Sequence, residues 1–483
     1  MHYWNENINL CIVVFLQLFI ILNIIAFILY NMFFIISPTL SSSFNNELFT
    51  KKYLNILLVL VGYIIIYSCG YNYTIYFTIL YNYNINILFS IWYFYIFIIF
   101  YIFILITFIS LIFTVLFLTV EVFTFLALLI IIFLGSQLML VSDNLFIFFL
   151  GYELLLLPSF LILYKYAKTY RCVEAAYIMF FWTQFGSFFI LFIIFYLMMN
   201  YSIINFTDLG YSVITPVEGK IIIICLLIGF GVKMPIWPFY GWLPKAHVEA
   251  STNFSIFLSG VLVKLAFLGF LKFLLFMSAD SFGWYLYVWM LIGIVDGSQK
   301  LFYQTDLKKL IALTTVIEMH WVLFTILHTT SILYYSGLLM FISHAIISSL
   351  FFILVDCVSR RFKTRNIYEI TGLWVRLPVL SLFILVVNVI FLGFPYTSFF
   401  LSEYLFFVAL LDINPIVFIF VLSILYFINP IIIFRAWVNI LYGKMWLMIP
   451  GHVYDLTVVE NLIIISLLLQ LIILGLYPII NVL

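Results

Sequence analysis

Long apolar runs separated by short polar stretches dominate this chain of 483 residues. Many of them reach about 20 residues, which is the length a helix needs to cross a bilayer. They lack the strict alternation of barrel strands. The pattern therefore predicts an all-α polytopic membrane protein with about 14 transmembrane helices. Their predicted limits are 8–36, 54–80, 87–117, 122–141, 144–164, 173–197, 220–240, 254–276, 284–302, 307–328, 331–357, 377–410, 414–440 and 459–482.

Two of these spans are interrupted by helix breakers. Pro235, Pro238 and Pro244 fall in and just after span seven, and the sequence LGFPYT occupies 392–397 in span twelve. Proline removes a backbone donor and breaks a helix, which is tolerated in a membrane only where protein or water replaces the bond.

The two breaks lie five spans apart. An odd offset predicts two inverted five-helix repeats, spans 4–8 and 9–13, with broken helices 7 and 12 meeting near the midplane. We divide the chain into N-terminal helices 1–3 (1–120), a first antiporter-like repeat (121–280), a second inverted repeat (281–442) and a C-terminal helix (443–483).

Composition excludes a soluble domain, because 67% of the residues are hydrophobic and only 8% are charged. The net charge of +1 does not indicate a nucleic-acid partner. The five cysteines are scattered through apolar segments without metal-ligand spacing, so we expect them to be core residues. The first ten residues, MHYWNENINL, lack the features of a removable signal or transit peptide.

Basic residues fall mainly on one side of the predicted membrane. Only Lys220 and Lys272 fall on the other side. The positive-inside rule then places the odd-numbered loops in the matrix or cytoplasm and both termini outside. We interpret Lys308–Lys309 and Arg360–Arg365 as orientation signals and lipid-headgroup contacts. The odd-numbered loops contain Lys51, Lys52, Lys165, Lys168, Arg171, Lys245, Lys308, Lys309, Arg360, Arg361, Lys363, Arg365 and Lys444.

Three ionisable residues lie inside predicted spans of the first repeat. Glu153 and Lys233 are candidates for a buried pair, which can hold two charges or none because burial disfavours a single charge. Drawing Glu153 away would favour proton release from Lys233; a structural ion pair that fixes helix register is the alternative. Lys264 follows a run of apolar and small residues, so we predict it as the next proton acceptor rather than a snorkelling lysine.

Further candidates extend from the first break into the second repeat. His247 titrates near neutral pH and is either a relay or a helix-capping group. His344 is either a relay or a hydrogen-bonded core residue. Glu318 and His320 lie in span ten, and Glu318 is the stronger candidate because a carboxylate is costly to bury. Glu403 follows the second break and is predicted to be functional.

Several of these stretches resemble a known family. The segments GFGVKMPIWPFYGWLPKAHVEA and GVLVKLAFLGF resemble the core of the antiporter-like subunits of proton-pumping NADH:quinone oxidoreductase, respiratory complex I. The similarity covers about residues 120–480 and is most specific at 229–264. Other similar segments are GYELLLLPSFLI, AAYIMFFWTQFGS, QTDLKKLIALTTV, FISHAIISSLFFILV, FLGFPYTSFFLSEYLFF and DLTVVENLIIISLLLQLIILGLYP.

The resemblance implies roles for four residues. Glu153 and Lys233 match the family's pair at the proton channel, and Lys264 matches the central relay. Glu403 matches the terminal donor or acceptor. A glutamate there, together with the HVEA segment, resembles the subunit-4 branch, whereas the other branches have lysine.

The chain also departs from the family pattern at three positions. Ser251 replaces a usual proline, Glu318 stands where a relay histidine is expected, and Val459 replaces a basic residue. A carboxylate or the nearby His320 would then have to serve in the central path. The similarity is thus to a divergent member.

The resemblance implies a proton-translocating core membrane subunit of complex I, without a redox site on this chain. FMN, iron–sulfur clusters and ubiquinone are expected in partner subunits; the sequence has no phosphate loop, cysteine cluster or haem-type histidine pair. Expected partners are the neighbouring antiporter-like subunits and lipids such as cardiolipin. Residues with A+T-rich codons favour the mitochondrial inner membrane; a bacterial plasma membrane is the alternative.

Two other functions remain open. The chain could be the large subunit of a multi-subunit Na⁺/H⁺ antiporter, since these subunits share the motifs. It could also be a structural complex I subunit that has lost pumping, an alternative kept open by Ser251 and Glu318.

Overall fold

The computed structural model describes residues 122–167, 169–211, 214–277, 285–327, 331–443 and 454–476. All of them belong to one compact unit, Phe94–Pro478. The predicted helices 8–36, 54–80 and 87–117 lie outside the described residues, as does the predicted N-terminal domain 1–120.

Helices account for nearly all of the described residues. Eight of them form the first part of the chain: α1 (Val122–Val141), α2 (Leu145–Lys165), α3 (Tyr170–Tyr201), α4 (Phe206–Tyr211), α5 (Pro216–Lys233), α6 (Trp242–Glu249), α7 (Thr252–Phe257) and α8 (Val263–Phe276). The others are α9 (Tyr285–Phe302), α10 (Leu307–Leu327), α11 (Ser331–Phe362), α12 (Leu373–Arg376), α13 (Pro378–Phe391), α14 (Ser398–Ile413), α15 (Pro415–Leu422), α16 (Asn429–Tyr442) and α17 (Val458–Leu476).

The all-helical prediction is confirmed for the described residues, seven of whose helical stretches are long and apolar enough to cross a membrane. Both predicted breaks are present. The first lies between α5 and α6 and contains a short 3₁₀ turn, Phe239–Gly241. The second lies between α13 and α14. Two π-helical segments, Leu258–Leu262 and Ser423–Ile428, join α7 to α8 and α15 to α16, and neither was predicted.

Polar caps and prolines determine where several helices begin. The side chain of Asn144 accepts hydrogen bonds from the first turn of α2, and Asn414 does the same for α15. The carboxylate of Asp455 accepts from the first amides of α13, with N···O distances of 2.8 and 3.2 Å. These groups satisfy amides that a helix leaves without an intrahelical partner.

Glycine pairs allow two helix pairs to approach closely. A Cβ built on Gly151 of α2 would lie 2.8 Å from the carbonyl oxygen of Gly135 in α1. A Cβ on Gly186 of α3 would lie 2.6 Å from the carbonyl oxygen of Gly229 in α5. Both distances are too short for any side chain. Small residues at such crossings are typical of membrane helices, whose association depends on close backbone packing.

Lys272 of α8 closes the C-terminal end of α1. Its side chain is 4% exposed, and its amine donates to the carbonyl oxygens of Leu140, at 3.1 Å, and Ser142. It also lies over the ring of Phe206, with 4.6 Å between the amine and the ring centroid. A cation at a helix C-terminus satisfies carbonyls that have no amide partner and interacts favourably with the helix dipole.

Basic residues of the runs 308–309 and 360–365 also make contacts inside the protein. Lys308 is 2% exposed and donates to the carbonyl oxygen of Ala250, just past α6, at 2.9 Å. Arg360 and Arg361 of α11 each bind the carboxylate of Glu460 in α17 at 2.8 Å. The interpretation as lipid-headgroup contacts is therefore wrong for Lys308, because its amine is buried. The two arginines fasten α17 to α11.

Replacement of Lys272 by methionine should destabilise the protein, because the carbonyls at the end of α1 lose their donor while the side-chain length is kept. We expect a loss of about 2 kcal/mol in the free energy of unfolding, measured by denaturant titration in detergent. Lys220→Met, at an exposed lysine of α5, is the matched control and should change little. Equal effects of the two substitutions would contradict the capping role.

Candidate functional site

Lys233 is the last residue of α5 and is almost fully buried, at 9% exposure. Its amine donates to the carbonyl oxygen of Tyr152 in α2 at 3.1 Å and lies 3.3 Å from the centroid of the Tyr152 ring. The Tyr152 hydroxyl donates to the carbonyl oxygen of Gly229, at 3.3 Å. One tyrosine thus supplies both a carbonyl and an aromatic face to the lysine, and both favour its ammonium form.

Glu153 is a neighbour of Lys233 but does not form a salt bridge with it. No N···O distance between the two is within 4.0 Å, although the Glu153 carboxylate acts on the lysine electrostatically. Oxygen Oε1 of Glu153 is buried and has no hydrogen-bond partner among the described residues. The predicted pair is therefore a through-space interaction rather than a hydrogen-bonded ion pair, and it can weaken or strengthen with small displacements.

A small cavity lies beside Lys233. Its volume is about 30 Å³, and Ser159 of α2 and Thr183 of α3 contribute hydroxyl-bearing side chains to the wall. The wall also includes Leu262 and Val263, which immediately precede Lys264. Most of the other lining residues are apolar, and Lys264 itself is not part of the wall. The volume is about that of one water molecule. The cavity therefore extends from Lys233 to the segment that precedes Lys264.

Lys264 is fully buried at the start of α8, next to a widened turn. Its amine donates to the carbonyl oxygen of Ser259 at 2.6 Å and lies 3.0 Å from Nδ1 of His344 in α11. Ser259 belongs to the π-helical segment Leu258–Leu262. In a π turn the amide bonds skip one residue further, which leaves room for a side chain to reach a backbone carbonyl. The lysine and histidine form a buried hydrogen-bonded pair.

Glu318 of α10 connects this pair electrostatically to the second break. It interacts through space with Lys264 and with Glu403 of α14. Its carboxylate accepts a hydrogen bond from the indole Nε1 of Trp321. Glu318 is thus near both Lys264 and Glu403.

Glu403 lies beside the second break and receives a hydrogen bond from Tyr426. The Tyr426 hydroxyl donates to Oε2 at 2.7 Å, and Tyr426 belongs to the second π-helical segment. Gly393, in the break, has a φ of 86°, and a Cβ there would lie 3.3 Å from Oε2 of Glu403. The left-handed backbone and the tight space both favour glycine. Gly393 in the break therefore packs closely against the Glu403 carboxylate.

The other two candidate histidines, His247 and His320, differ in their surroundings. His247 in α6 is fully buried, and neither ring nitrogen has a hydrogen-bond partner among the described residues; its ring stacks on Phe352 at 4.7 Å. It does not cap a helix through its ring. Both ring nitrogens of His320, in contrast, contact backbone groups at 2.7 Å. In the described part of the chain, no three His, Cys, Asp or Glu residues are placed to hold a metal ion.

The structure therefore brings Lys264, His344, Glu318 and Glu403 near one another and places Lys233 in the wall of a separate small cavity. Sequence reasoning missed three partners, Tyr152, Trp321 and Tyr426. Tyr152 is adjacent to Glu153, and Trp321 is one turn from Glu318, so proximity in sequence was an available signal. Nothing in the sequence around Tyr426 indicates its contact with Glu403, which depends on helix packing.

These features define a class: a polytopic helical membrane protein whose interior carries a series of ionisable groups next to two helix breaks. The chain matches the family described as NADH:quinone oxidoreductase/Mrp antiporter, TM, over residues 142–429. It belongs to that family, so the resemblance identified from the sequence motifs is confirmed.

Individual relatives agree with this assignment. The chain is 35% identical over 269 residues to NADH-ubiquinone oxidoreductase chain 4 of Paramecium tetraurelia, covering 56% of this chain and 57% of that protein. It thus spans a little over half the length of this relative. It is 31% identical over 348 residues to NADH-quinone oxidoreductase subunit M of Rickettsia felis, covering 70% of this chain and 69% of that one.

The fold is also similar to that of a solved structure. A chain of respiratory complex I from Thermus thermophilus superposes with a TM-score of 0.69 at 20% identity, covering 78% of this chain and 80% of that chain. At that identity the similarity shows a common fold.

Replacement of Tyr426 by phenylalanine should destabilise the second break, because the buried Glu403 loses its hydroxyl donor. We expect a loss of about 2 kcal/mol in the free energy of unfolding, measured in detergent as for Lys272. Tyr404→Phe is the matched control, since Tyr404 follows Glu403 in sequence but is 55% exposed. A Tyr426 variant as stable as the Tyr404 variant would show that the hydrogen bond is unimportant.

Proposed function

We propose that this chain is a proton-translocating core membrane subunit of respiratory complex I, of the subunit-4 type. The observation that carries the proposal is the series of buried ionisable groups, Lys264, His344, Glu318 and Glu403, with Lys233 beside a small cavity. Buried ionisable groups in membrane spans are rare and typically mark ion or proton paths. The family, which includes NADH:quinone oxidoreductase subunits, supplies the class of coupled reaction.

The first half of the proposed path runs from Glu153 to Lys264. A proton enters near Glu153 and Lys233. The cavity lined by Ser159 and Thr183 accepts one water, which carries the proton towards the segment preceding Lys264. Release from Lys233 is controlled by the charge and position of Glu153, since their interaction acts through space.

The second half runs from Lys264 to Glu403. His344 lies within hydrogen-bond distance of Lys264, so the two can exchange a proton directly. Glu318, where the family expects a histidine, interacts with both Lys264 and Glu403 and takes over the central relay. The proton leaves by way of Glu403 and Tyr426. His247, buried and without a hydrogen-bond partner among the described residues, is a further candidate relay member in this proposal.

The irregular helices support the proposed inverted repeats, spans 4–8 and 9–13. In the first half a break at span seven is followed by a π-helical segment in span eight, Leu258–Leu262. In the second half a break at span twelve is followed by a π-helical segment in span thirteen, Ser423–Ile428. The same order of two uncommon features in both halves is what duplication of one unit produces. We propose a total of about 14 spans on this basis.

The assembly and location follow from the same proposal. FMN, iron–sulfur clusters and ubiquinone belong to other subunits, and this chain supplies only ionisable groups and their packing. Its partners are the neighbouring antiporter-like subunits of the membrane arm and lipids such as cardiolipin. The chain is a multi-pass membrane protein, and we propose the mitochondrial inner membrane as its location.

Two alternatives stand beside this proposal. The family also includes Mrp antiporters, so the chain could serve a multi-subunit Na⁺/H⁺ antiporter. A structural subunit without pumping is the other, because Glu318 replaces the expected histidine. The electrostatic link of Glu318 to Lys264 and Glu403 supports the pumping subunit over the structural one.

Replacement of Lys233 by alanine in the assembled complex should lower proton pumping through this subunit by about 100-fold or more, the usual effect of removing a proton-transfer group. The measurement is protons translocated per NADH oxidised in proteoliposomes, and this ratio should fall by the share that this subunit contributes. Lys220→Ala, at an exposed lysine of the same helix, is the matched control and should leave the ratio unchanged. An unchanged ratio in the Lys233 variant would favour the structural alternative.

Purification through an affinity tag on this chain distinguishes complex I from a free-standing antiporter. We expect flavin- and iron–sulfur-containing subunits to co-purify, together with NADH oxidation that generates a proton gradient. Sodium-dependent proton exchange in a preparation without flavin would favour the antiporter.

A further inference from the structure

The peptide group of Trp237, in the middle of the first break, is held by side chains on both sides. Its amide donates to Nε2 of His320 in α10 at 2.7 Å. Its carbonyl oxygen accepts from the indole Nε1 of Trp289 in α9, also at 2.7 Å. Helical hydrogen bonding is interrupted here by Pro235 and Pro238, so these two side chains replace the partners that a helix would provide.

The surroundings of His320 fix which ring nitrogen carries the proton. Nδ1 lies 2.7 Å from the carbonyl oxygen of Val316, which can only accept, so Nδ1 bears the hydrogen. The amide of Trp237 can only donate, so Nε2 must accept and carries no hydrogen. The ring is 2% exposed. Both nitrogens are thus used by backbone groups.

Gly293 of α9 provides the space for the His320 ring. A Cβ on Gly293 would lie 2.0 Å from Cδ2 and 2.1 Å from Nε2 of His320. No side chain can occupy that position while the histidine bonds to Trp237. The hydrogen bond between His320 and Trp237 therefore depends on residues of three elements: the break, α9 and α10.

We propose that His320 is a positioning residue that holds the first break through the Trp237 amide, and that it is not a proton relay. Trp237 lies four residues after Lys233, within the non-helical stretch that follows the lysine, so holding this peptide fixes the course of the chain just after α5. The consequence for pumping rests on the proposed function. The hydrogen bond itself rests on geometry alone.

Hydrogen–deuterium exchange tests the hydrogen bond in the purified intact complex. The peptide containing the Trp237 amide should exchange at least about tenfold faster in His320→Leu, which lacks an acceptor, than in the unmodified complex. His320→Gln keeps an acceptor oxygen near the position of Nε2 and should retain protection. Fast exchange in the glutamine variant, or equal protection in both variants, overturns the proposal.

Proton pumping then separates positioning from relay. Glutamine cannot transfer a proton as imidazole does, so a relay role predicts that His320→Gln loses pumping, as expected for His344→Gln. The positioning role predicts that His320→Gln leaves protons per NADH unchanged, while His344→Gln lowers the ratio by the share that this subunit contributes. Loss of pumping in His320→Gln with the Trp237 amide still protected would assign the relay role and overturn ours. Pumping unaffected by Lys233→Ala would refute the proposed function and leave the exchange result valid.

A third variant avoids the possibility that His320→Leu fails to assemble. Gly293→Ala should displace the ring and expose the Trp237 amide to exchange, with His320 itself unchanged. In a His320→Ala background the added methyl group enters vacated space, so Gly293→Ala should cause no further change in exchange. Independent effects of the two substitutions would contradict the steric relation between them.

Discussion

The buried lysines of the described bundle are all held by backbone carbonyl groups, and the arrangement of the helix ends depends on this. An ammonium group without partners is very unfavourable in an apolar interior. Lys272 and Lys308 find carbonyls at helix ends, and Lys264 finds one in a π turn. Carbonyls at these places lack a regular helical partner or are exposed by a widened turn. Lys233 is the exception, because the carbonyl of Tyr152 lies within α2. The positions of the other three lysines are therefore tied to the helix irregularities.

The groups around each amine also distinguish the lysines that cap helix ends from the lysines suited to proton transfer. Lys272 and Lys308 close helix ends, so a neutral amine there would weaken the ends they cap. Lys264 has a histidine as its second partner, and Lys233 has an aromatic ring and a carbonyl within α2. Neither is in a salt bridge, so neither has to break an ion pair when it loses a proton. Loss of the proton therefore does not leave a buried carboxylate without a cationic partner.

The sequence predicts the helices and both breaks because apolar length, proline and glycine act locally. Most of the long helices of the described residues begin and end near the predicted limits, but the short helices α4, α6 and α12 were not predicted. Helix α5 ends at Lys233, just before Pro235, rather than at the predicted residue 240. The partners are less predictable. Lys233 bonds to Tyr152 rather than to Glu153, because the outcome depends on how α2 and α5 pack. The π segments likewise have no local signal.

Charge runs illustrate the same limit. Their asymmetry is a property of loop composition and is readable from sequence. Whether Lys308 faces lipid or a buried carbonyl is decided by the approach of α10 to the end of α6. His320 is similar, since its two backbone contacts join elements distant in sequence.

The π-helical segment before Lys264 has one further consequence. A π turn is equivalent to one extra residue inserted into a regular helix. Deleting a single residue within Leu258–Leu262 would restore a continuous α-helix, and each residue corresponds to about 100° of rotation around the helix axis. Lys264 would then point away from His344 while every side chain of α8 kept its identity. Helix register, as much as residue type, therefore determines that Lys264 faces His344 and that Lys272 caps the end of α1.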